Sequence, residues 1–483
     1  MRLVTTHLNK YLELLEGVYE SDRAQQLRIL SRMYNRLLGP ATSVKLLRPE
    51  LLDLSIYSVH CDHVPVTSLM RDVALKARPY SSRVPGGGKG VSYLNAILGA
   101  LGEITERLWA ILDFATLFDR LEYGTYEELV RQGRRALGPQ ELTLFAPEQY
   151  AQPNFDYTGF RPDTFLGWIE GRELLSGDFV LVPAQLVLMY YKQHPAERAI
   201  GYATTAGLAF HPSRYQGILH GLYEVIERDA LNVCWYSRLA PPRVDVDLRH
   251  LLETHMSIPL ARMSTPYIQE VQIFLMTLDT RIPVFAAVAL DRSRDERAFL
   301  GGTGASSQRE LGLAQALFEV GQSQTAFRLE DPFGRDPIHR DSDLSEVVQF
   351  HDAPLYYGHA GNLPRTFWFM ANEQAVPWEA VPTFHFTEDA EEYEGVIEWL
   401  RLSGLRPIVL DFDSAWPEMS ITKVFVPELT QACPPLDPTL GHPRFYELPQ
   451  RLGKAERRGQ RPAVWLAQGQ VRSLVANCSD RTA

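Results

Sequence analysis

Gly86–Arg107 reads GGGKGVSYLNAILGALGEITER. A glycine-rich turn runs into a helix, and Glu103, Glu106 and Arg107 lie on one side of it, because positions three and four apart share a helical face. Ile97, Leu101, Ile104 and Leu108 keep the 3.6-residue period and are expected to bury the opposite side. The polar stripe is Gly99, Gly102, Glu103 and Glu106. A glycine inside a helix costs about 1 kcal/mol against alanine. Two on one stripe imply that something approaches the backbone there.

The construction recurs twice. Gly207–Ala230 reads GLAFHPSRYQGILHGLYEVIERDA, with the stripe Gly217, His220, Glu224 and Glu227, then Arg228. Gly304–Gln322 reads GASSQRELGLAQALFEVGQ, with the stripe Gly312, Gln315, Glu319 and Gln322. One ExxER is the ordinary pattern of a solvated helix. Three acid-striped helices, each behind a Gly-bearing turn, point to a shared site. Converging carboxylates repel unless cations sit between them, and Mg2+ takes oxygen ligands from a few carboxylates, phosphates and waters. Arg107 and Arg228 are fixed forks suited to phosphate or carboxylate. The residues suggest a Mg2+–nucleotide site without a P-loop. GGGKG is not a Walker A motif, since the required first glycine position is Arg83 and the residue after Lys89 is Gly90.

In their order, these segments resemble the three nucleotide-binding segments of the YcaO family. Leu166–Tyr191, LGWIEGRELLSGDFVLVPAQLVLMYY, resembles the family's central segment, and Gly404–Gln431, GLRPIVLDFDSAWPEMSITKVFVPELTQ, its late strand-helix-strand segment. The resemblance covers about Asp53 to Leu452. It implies an α/β (α+β) fold in which mixed sheets carry three acidic-stripe helices around one cavity for ATP and Mg2+. It also implies ATP-dependent activation of peptide backbone amides. Ring closure by Cys, Ser or Thr of a ribosomally made precursor peptide would give azolines. An external sulfide would give thioamides, and a scaffold or regulator without catalysis is the other alternative.

The central segment favours the azoline branch. By the resemblance, Glu103, Glu106, Glu224, Glu227 and Glu319 hold metal and phosphate, Arg107 and Arg228 orient them, and Lys89 and Gln322 complete the cradle. Gln216 and Gln315 occupy nucleotide-site positions in altered form. The sequence departs from the family pattern at Gly99 (usually Ser), Gln216 (usually Glu) and Gln315 (usually Arg). It also lacks the PxPxP tail of many azoline-forming members, since its last proline is Pro462. Removing the residues after Arg461 should therefore cost little. A separate leader-peptide-binding partner is expected, and a homodimer is left open. No catalytic base is identified.

The chain has 483 residues and a net charge of −11. That balance argues against a nucleic-acid partner, whose phosphates want a basic face. No apolar run is long enough to span a membrane. Four widely spaced cysteines make no disulfide scaffold, and the natural reading is a reducing cytoplasm. Residues 1–50 read as a helical N-terminal extension, 51–452 as the catalytic domain and 453–483 as a basic tail. Strand alternation separates His60 and Asp62 from Cys61 and His63, which argues against a metal site there. Asp411-Phe412-Asp413 has the form of a sugar-nucleotide DxD motif, though two acids at a strand end are commoner.

Overall fold

The computed structural model describes residues 34, 41–49, 53–54, 56–63, 86–112, 117–189, 191–254, 271–290, 299–330, 347, 352–413, 417, 419–435 and 437–453. They form the expected mixed α/β fold, built on three sheets. The first is an antiparallel ribbon of β1 (Ala41–Leu47), β2 (Tyr57–His63) and β3 (Gly86–Gly90). The second runs β4-β5-β13-β14-β7, with β6 on the far side of β5. Its strands are β4 (Glu122–Thr125), β5 (Phe165–Glu173), β6 (Phe179–Pro183), β7 (Leu208–His211), β13 (Ile408–Phe412) and β14 (Ser420–Phe425). The third runs β11-β10-β9-β8-β12, from β8 (Arg243–Asp245), β9 (Val271–Leu275), β10 (Val284–Leu290), β11 (Phe299–Ala305) and β12 (Ala375–Pro377).

Each sheet receives one of the acid-striped helices. Helix α1 (Tyr93–Leu112) packs on β2 and β3, and α3 (Arg309–Glu330) on β10 and β11. Helix α2 (Arg214–Tyr236) packs on β7 and β14, which α1 also touches. The buried side of α1 is Leu101, Ile104 and Leu108, joined by Ala96 and Ala100; Ile97 is only half-buried. The α2 residues Ile218, Leu222, Val225 and Ile226 lie in the largest apolar cluster, as their period predicts. A buried ion cluster pins the far side of α2. Asp229 accepts from Arg444 of α5 (Arg444–Arg451), whose guanidinium also bonds Asp279.

Two of the expected glycine turns are strands. Gly86–Gly90 is β3, and Gly301, Gly302 and Gly304 belong to β11. The reason is steric: in each unit the helix backbone lies directly on the strand backbone. A Cβ built on Gly88 would stand 1.7 Å from the carbonyl oxygen of Ala96, and one on Gly304 would stand 2.2 Å from that of Gly312. No side chain fits in either gap. In the second unit Gly207 precedes β7 with φ +84°, and a Cβ on the facing helix residue Gly221 would meet its carbonyl oxygen at 2.6 Å. The stripe glycines behave differently. Gly99 is approached by the strand at Gly88, and no protein atom lies within 4 Å of a Cβ built on Gly102.

The boundary expected at residue 50 also shifts. Ala41–Leu47 is a strand paired along β2, so a helical extension reaches no further than residue 40. Residues 1–33, and 454–483 of the expected tail, lie outside the described residues. His60 bonds Asp62 at 3.1 Å within β2, and Cys61 is buried beneath them, in keeping with the alternation.

Gly88→Ala should destabilise the fold by about 3 kcal/mol or more, because overpacking against backbone cannot relax by a rotamer change. Gly102→Ala should raise stability by up to about 1 kcal/mol through helix propensity alone. Thermal melts of the two variants test the contrast; equal effects would contradict the packing described.

Candidate functional site

The three strand–helix units each make the same hydrogen bond. A backbone N–H of the strand segment is donated to a glutamate 16 or 17 residues later on the helix. Gly87 donates to Glu103 Oε2, Gly207 to Glu224 Oε2 at 2.9 Å, and Thr303 to Glu319 Oε2 at 2.9 Å. The close approach enforced by glycine is what brings the strand amide within reach. One carboxylate oxygen is thereby fixed in each unit, and the other turns to a basic side chain.

Cations pair with these carboxylates, one across units and two within a helix. Lys89 of β3 donates to Glu319 Oε1 of α3 at 2.7 Å. Arg228 of α2 lies 3.5 Å from Glu227 Oε1 and 3.9 Å from Glu224 Oε1. Arg107 donates to Glu103 Oε1 one turn back. The Thr303 hydroxyl donates to Glu227 Oε1 at 2.5 Å and lies 3.3 Å from Glu319 Oε2, joining α2 to α3. Gln322 comes over from α3, with its amide nitrogen 2.6 Å from where a Cβ on Gly87 would sit and Glu103 Oε2 3.6 Å from that point.

The electrostatics follow from this crowding. Burial pushes Glu106 well above the usual carboxylate range, and the Glu224 charge adds to the shift against the pull of Arg107. Burial lifts Glu227 to about 7, with Glu319 adding and Arg228 opposing. Burial acts on Glu319 in the same sense, but Lys89 and Arg228 outweigh it and hold the carboxyl at about 2. Arg228 is raised despite burial by Glu227, Glu319, Glu224 and Glu103. Those four carboxylates come from all three helices, so the three polar stripes face one region.

The donor set fits Mg2+ with a polyphosphate. Among the described residues no three His, Cys, Asp or Glu side chains are arranged to cage a metal by themselves. Mg2+ does not require such a cage, because it keeps waters and phosphate oxygens and needs only one or two carboxylates. Glu106 makes no hydrogen bond among the described residues, and after burial the charge on Glu224 acts on it most strongly. Two acids from different helices, one of them unbonded, are the sort of pair a cation bridges.

Not every expected residue joins this group. Gln216 donates instead to Asp389 at 3.0 Å and Glu392 at 3.2 Å on α4 (Asp389–Leu402). Its amide ties α2 to α4, where a glutamate would repel both acids. Tyr223 and Ser307 also donate to Glu392, at 2.6 Å each, closing the same seam. Gln315 packs its Cβ over Gly304, 2.8 Å from where a Cβ would be built there. Asp411 is held by both arms of exposed Arg214, at 2.8 and 2.9 Å, so the DxD-like stretch is a strand end with an ion pair.

Two participants were not legible beforehand. Thr303 lies inside a Gly-rich run, and its hydroxyl carries no motif. Lys423 sits in the middle of the apolar strand β14, 1% exposed, and its ammonium donates to the carbonyls of Thr204 and Ala206 at 2.5 Å each. Burial lowers Lys423 to about 8, against the charges of Glu224 and Glu106. A lysine in a β-branched run was the available signal, since buried lysine is rare without partners.

Comparisons with known proteins bear on the family and the fold. A family model described as the ATP- and Mg2+-binding YcaO cyclodehydratase matches residues 87–430. A protein of Methanothermobacter thermautotrophicus is 33% identical over 160 residues, which is 33% of this chain and 41% of that one. The chain thus spans well under two thirds of that curated relative. A Rhizobium leguminosarum bv. trifolii protein, described by its place in the tfuA 3' region, is 26% identical over 61% of this chain and 68% of its own. Among solved structures, a heterocyclase in complex with substrate and cofactor superposes with TM-score 0.66 at 19% identity, over 89% of this chain and 55% of that one. The YcaO protein of Methanopyrus kandleri, bound with AMPPCP and Mg2+, gives 0.55 at 18% identity, over 85% and 89%. At these identities the structural likeness speaks for the fold.

The raised Glu227 carboxyl carries a pH signature. Its folded value of about 7 lies above the ordinary 4.5. The stability it contributes is therefore present below pH 4.5 and lost as pH rises through about 7. Without added Mg2+, Glu227→Gln should melt above the wild type at pH 8 and lose that advantage at pH 4.5. Parallel melting curves across this range would contradict the assignment.

Proposed function

The chain belongs to the YcaO family, and on that footing we propose that it uses Mg2+–ATP to activate backbone amides of a ribosomally made peptide. The observation that carries the reading is the meeting of three acid-bearing helices, each locked to its own strand by a backbone N–H, with basic side chains at their junctions. Glu103, Glu106, Glu224, Glu227 and Glu319 would hold Mg2+ and, through it, phosphate oxygens. Arg107, Arg228 and Lys89 would exchange their present carboxylate partners for phosphate. Gln322, beside Gly87, would border the same cradle.

The chemistry answers a problem of leaving groups. An amide oxygen leaves poorly, whereas a phosphate leaves well. Transfer of the terminal phosphoryl group from ATP to the amide oxygen produces ADP and an activated carbon. A Cys, Ser or Thr side chain of the peptide attacks that carbon and gives up its proton, the amide nitrogen gives up its own as the C=N bond forms, and phosphate departs with the former amide oxygen. The product is a thiazoline or oxazoline. Bound Mg2+ supplies neutralisation of charge on the phosphates. The chain's own part is to orient the polyphosphate with fixed arginine forks and to keep carboxylates from collapsing onto one another.

Residues 51–452, extended to include β1, would be the catalytic unit, working with a separate protein that holds the leader of the precursor. The central β5–β6 segment favours azoline formation as the outcome. The alternative of a non-catalytic scaffold finds less support, because the acids and arginines all face the cavity region, and because Gln216 has an evident structural use.

Glu103→Gln and Glu227→Gln should each abolish ATP turnover while the circular dichroism stays that of the wild type. Intact-mass spectra of a precursor peptide, co-expressed with this chain and its partner, should show the loss of one water per modified residue. Exchange of oxygen for sulfur would replace the azoline reading by thioamide formation. An unmodified peptide with full nucleotide binding would favour the scaffold.

A further inference from the structure

The cations at the helix junctions are not equivalent. Lys89 links β3 to Glu319 of α3, whereas Arg228 pairs with Glu224 and Glu227 of its own helix α2, and Arg107 with Glu103 of α1. A further buried cation, Lys423, comes from a strand nearly two hundred residues beyond Glu224.

Its placement follows from the pleat of β14. Thr422 and Val424 face α2, at Gly217 and Gly221. Alternation turns Lys423 to the opposite face, with Ile421 and Phe425. There its ammonium bonds the carbonyls of Thr204 and Ala206. These carbonyls belong to the segment immediately before Gly207, the residue whose N–H is donated to Glu224. An ammonium has three donors. Two are used on the carbonyls, and among the described residues no third partner exists. The hydroxyl of Thr204, buried beside this contact, also lacks a partner.

We propose that Lys423 is a positioning residue of the nucleotide site: by clamping the carbonyls of Thr204 and Ala206 it aims the Gly207 N–H at Glu224. The proposal rests on reading this cavity as a Mg2+–nucleotide site. The two carbonyls could be bonded by any neutral donor, at far lower desolvation cost than a buried ammonium.

The test compares Lys423→Met, Lys423→Gln and Lys423→Arg in the full chain, with binding of AMPPCP titrated at several Mg2+ concentrations and melting measured alongside. Partners that orient metal ligands typically contribute 10- to 100-fold in affinity, so Lys423→Met should weaken Mg2+-dependent binding at least about tenfold. Lys423→Gln keeps a donor for a carbonyl but no charge, and should lose a similar factor; it decides the matter if the Met variant does not fold. Lys423→Arg should recover most of the affinity. Wild-type affinity in the Met or Gln variant, with only a lower melting temperature, would overturn the proposal. Glu319→Gln serves as the reference. If it loses binding while the Lys423 variants do not, this proposal alone fails. If it too binds normally, the nucleotide-site reading fails with it.

Discussion

Everything at this site depends on helix backbone lying against strand backbone. At Gly88 and Gly304 the gap is too small for even a methyl group. That contact has two results. It puts a strand amide within hydrogen-bonding distance of a helical glutamate, and it presents the polar stripes of all three helices toward one region. A bulkier strand would push each helix outward, break the amide–carboxylate bond and scatter the acids. The glycines are thus the mechanical basis of the electrostatics.

The second feature is how the chain tolerates so many carboxylates in one place. Glu319 stays ionised because Lys89 and Arg228 face it, whereas burial and neighbouring charge drive Glu106 and Glu227 toward the neutral form. Such a set is poised to exchange internal partners for a metal and its phosphates. On the proposed reading, the lysine and arginines that now balance carboxylates would be free to meet the phosphates once Mg2+ took over that duty. Functional sites commonly hold groups in perturbed protonation states for this reason.

The seam between α2, α4 and the start of α3 explains one departure from the family pattern. Gln216 donates to Asp389 and Glu392, and Glu392 also accepts from Tyr223 and Ser307. A glutamate at position 216 would place a third carboxylate in that seam. The substitution is matched to its neighbours, so it is not evidence of a decayed site. Gln315, packed against Gly304, has no comparable account, and nothing in the structure explains why arginine is absent there.

The amino-acid sequence by itself determined the three-fold repeat of glycine segment and acid-striped helix, the family and the mixed α/β class. These are local patterns: helical period, glycine placement and charge spacing survive in one dimension. It misjudged the glycine segments as turns, because composition cannot tell a glycine that bends the chain from one that lets a helix press on a strand. It could not assign Thr303 or Lys423, whose roles come from contacts between units far apart in the chain. Only the tertiary structure decided which cation faces which carboxylate, since pairing across helices depends on how the sheets are stacked. Lys423 shows the reason most plainly. In sequence it interrupts an apolar strand; in the fold, the pleat turns it to the carbonyls just before Gly207, which no local pattern connects to it.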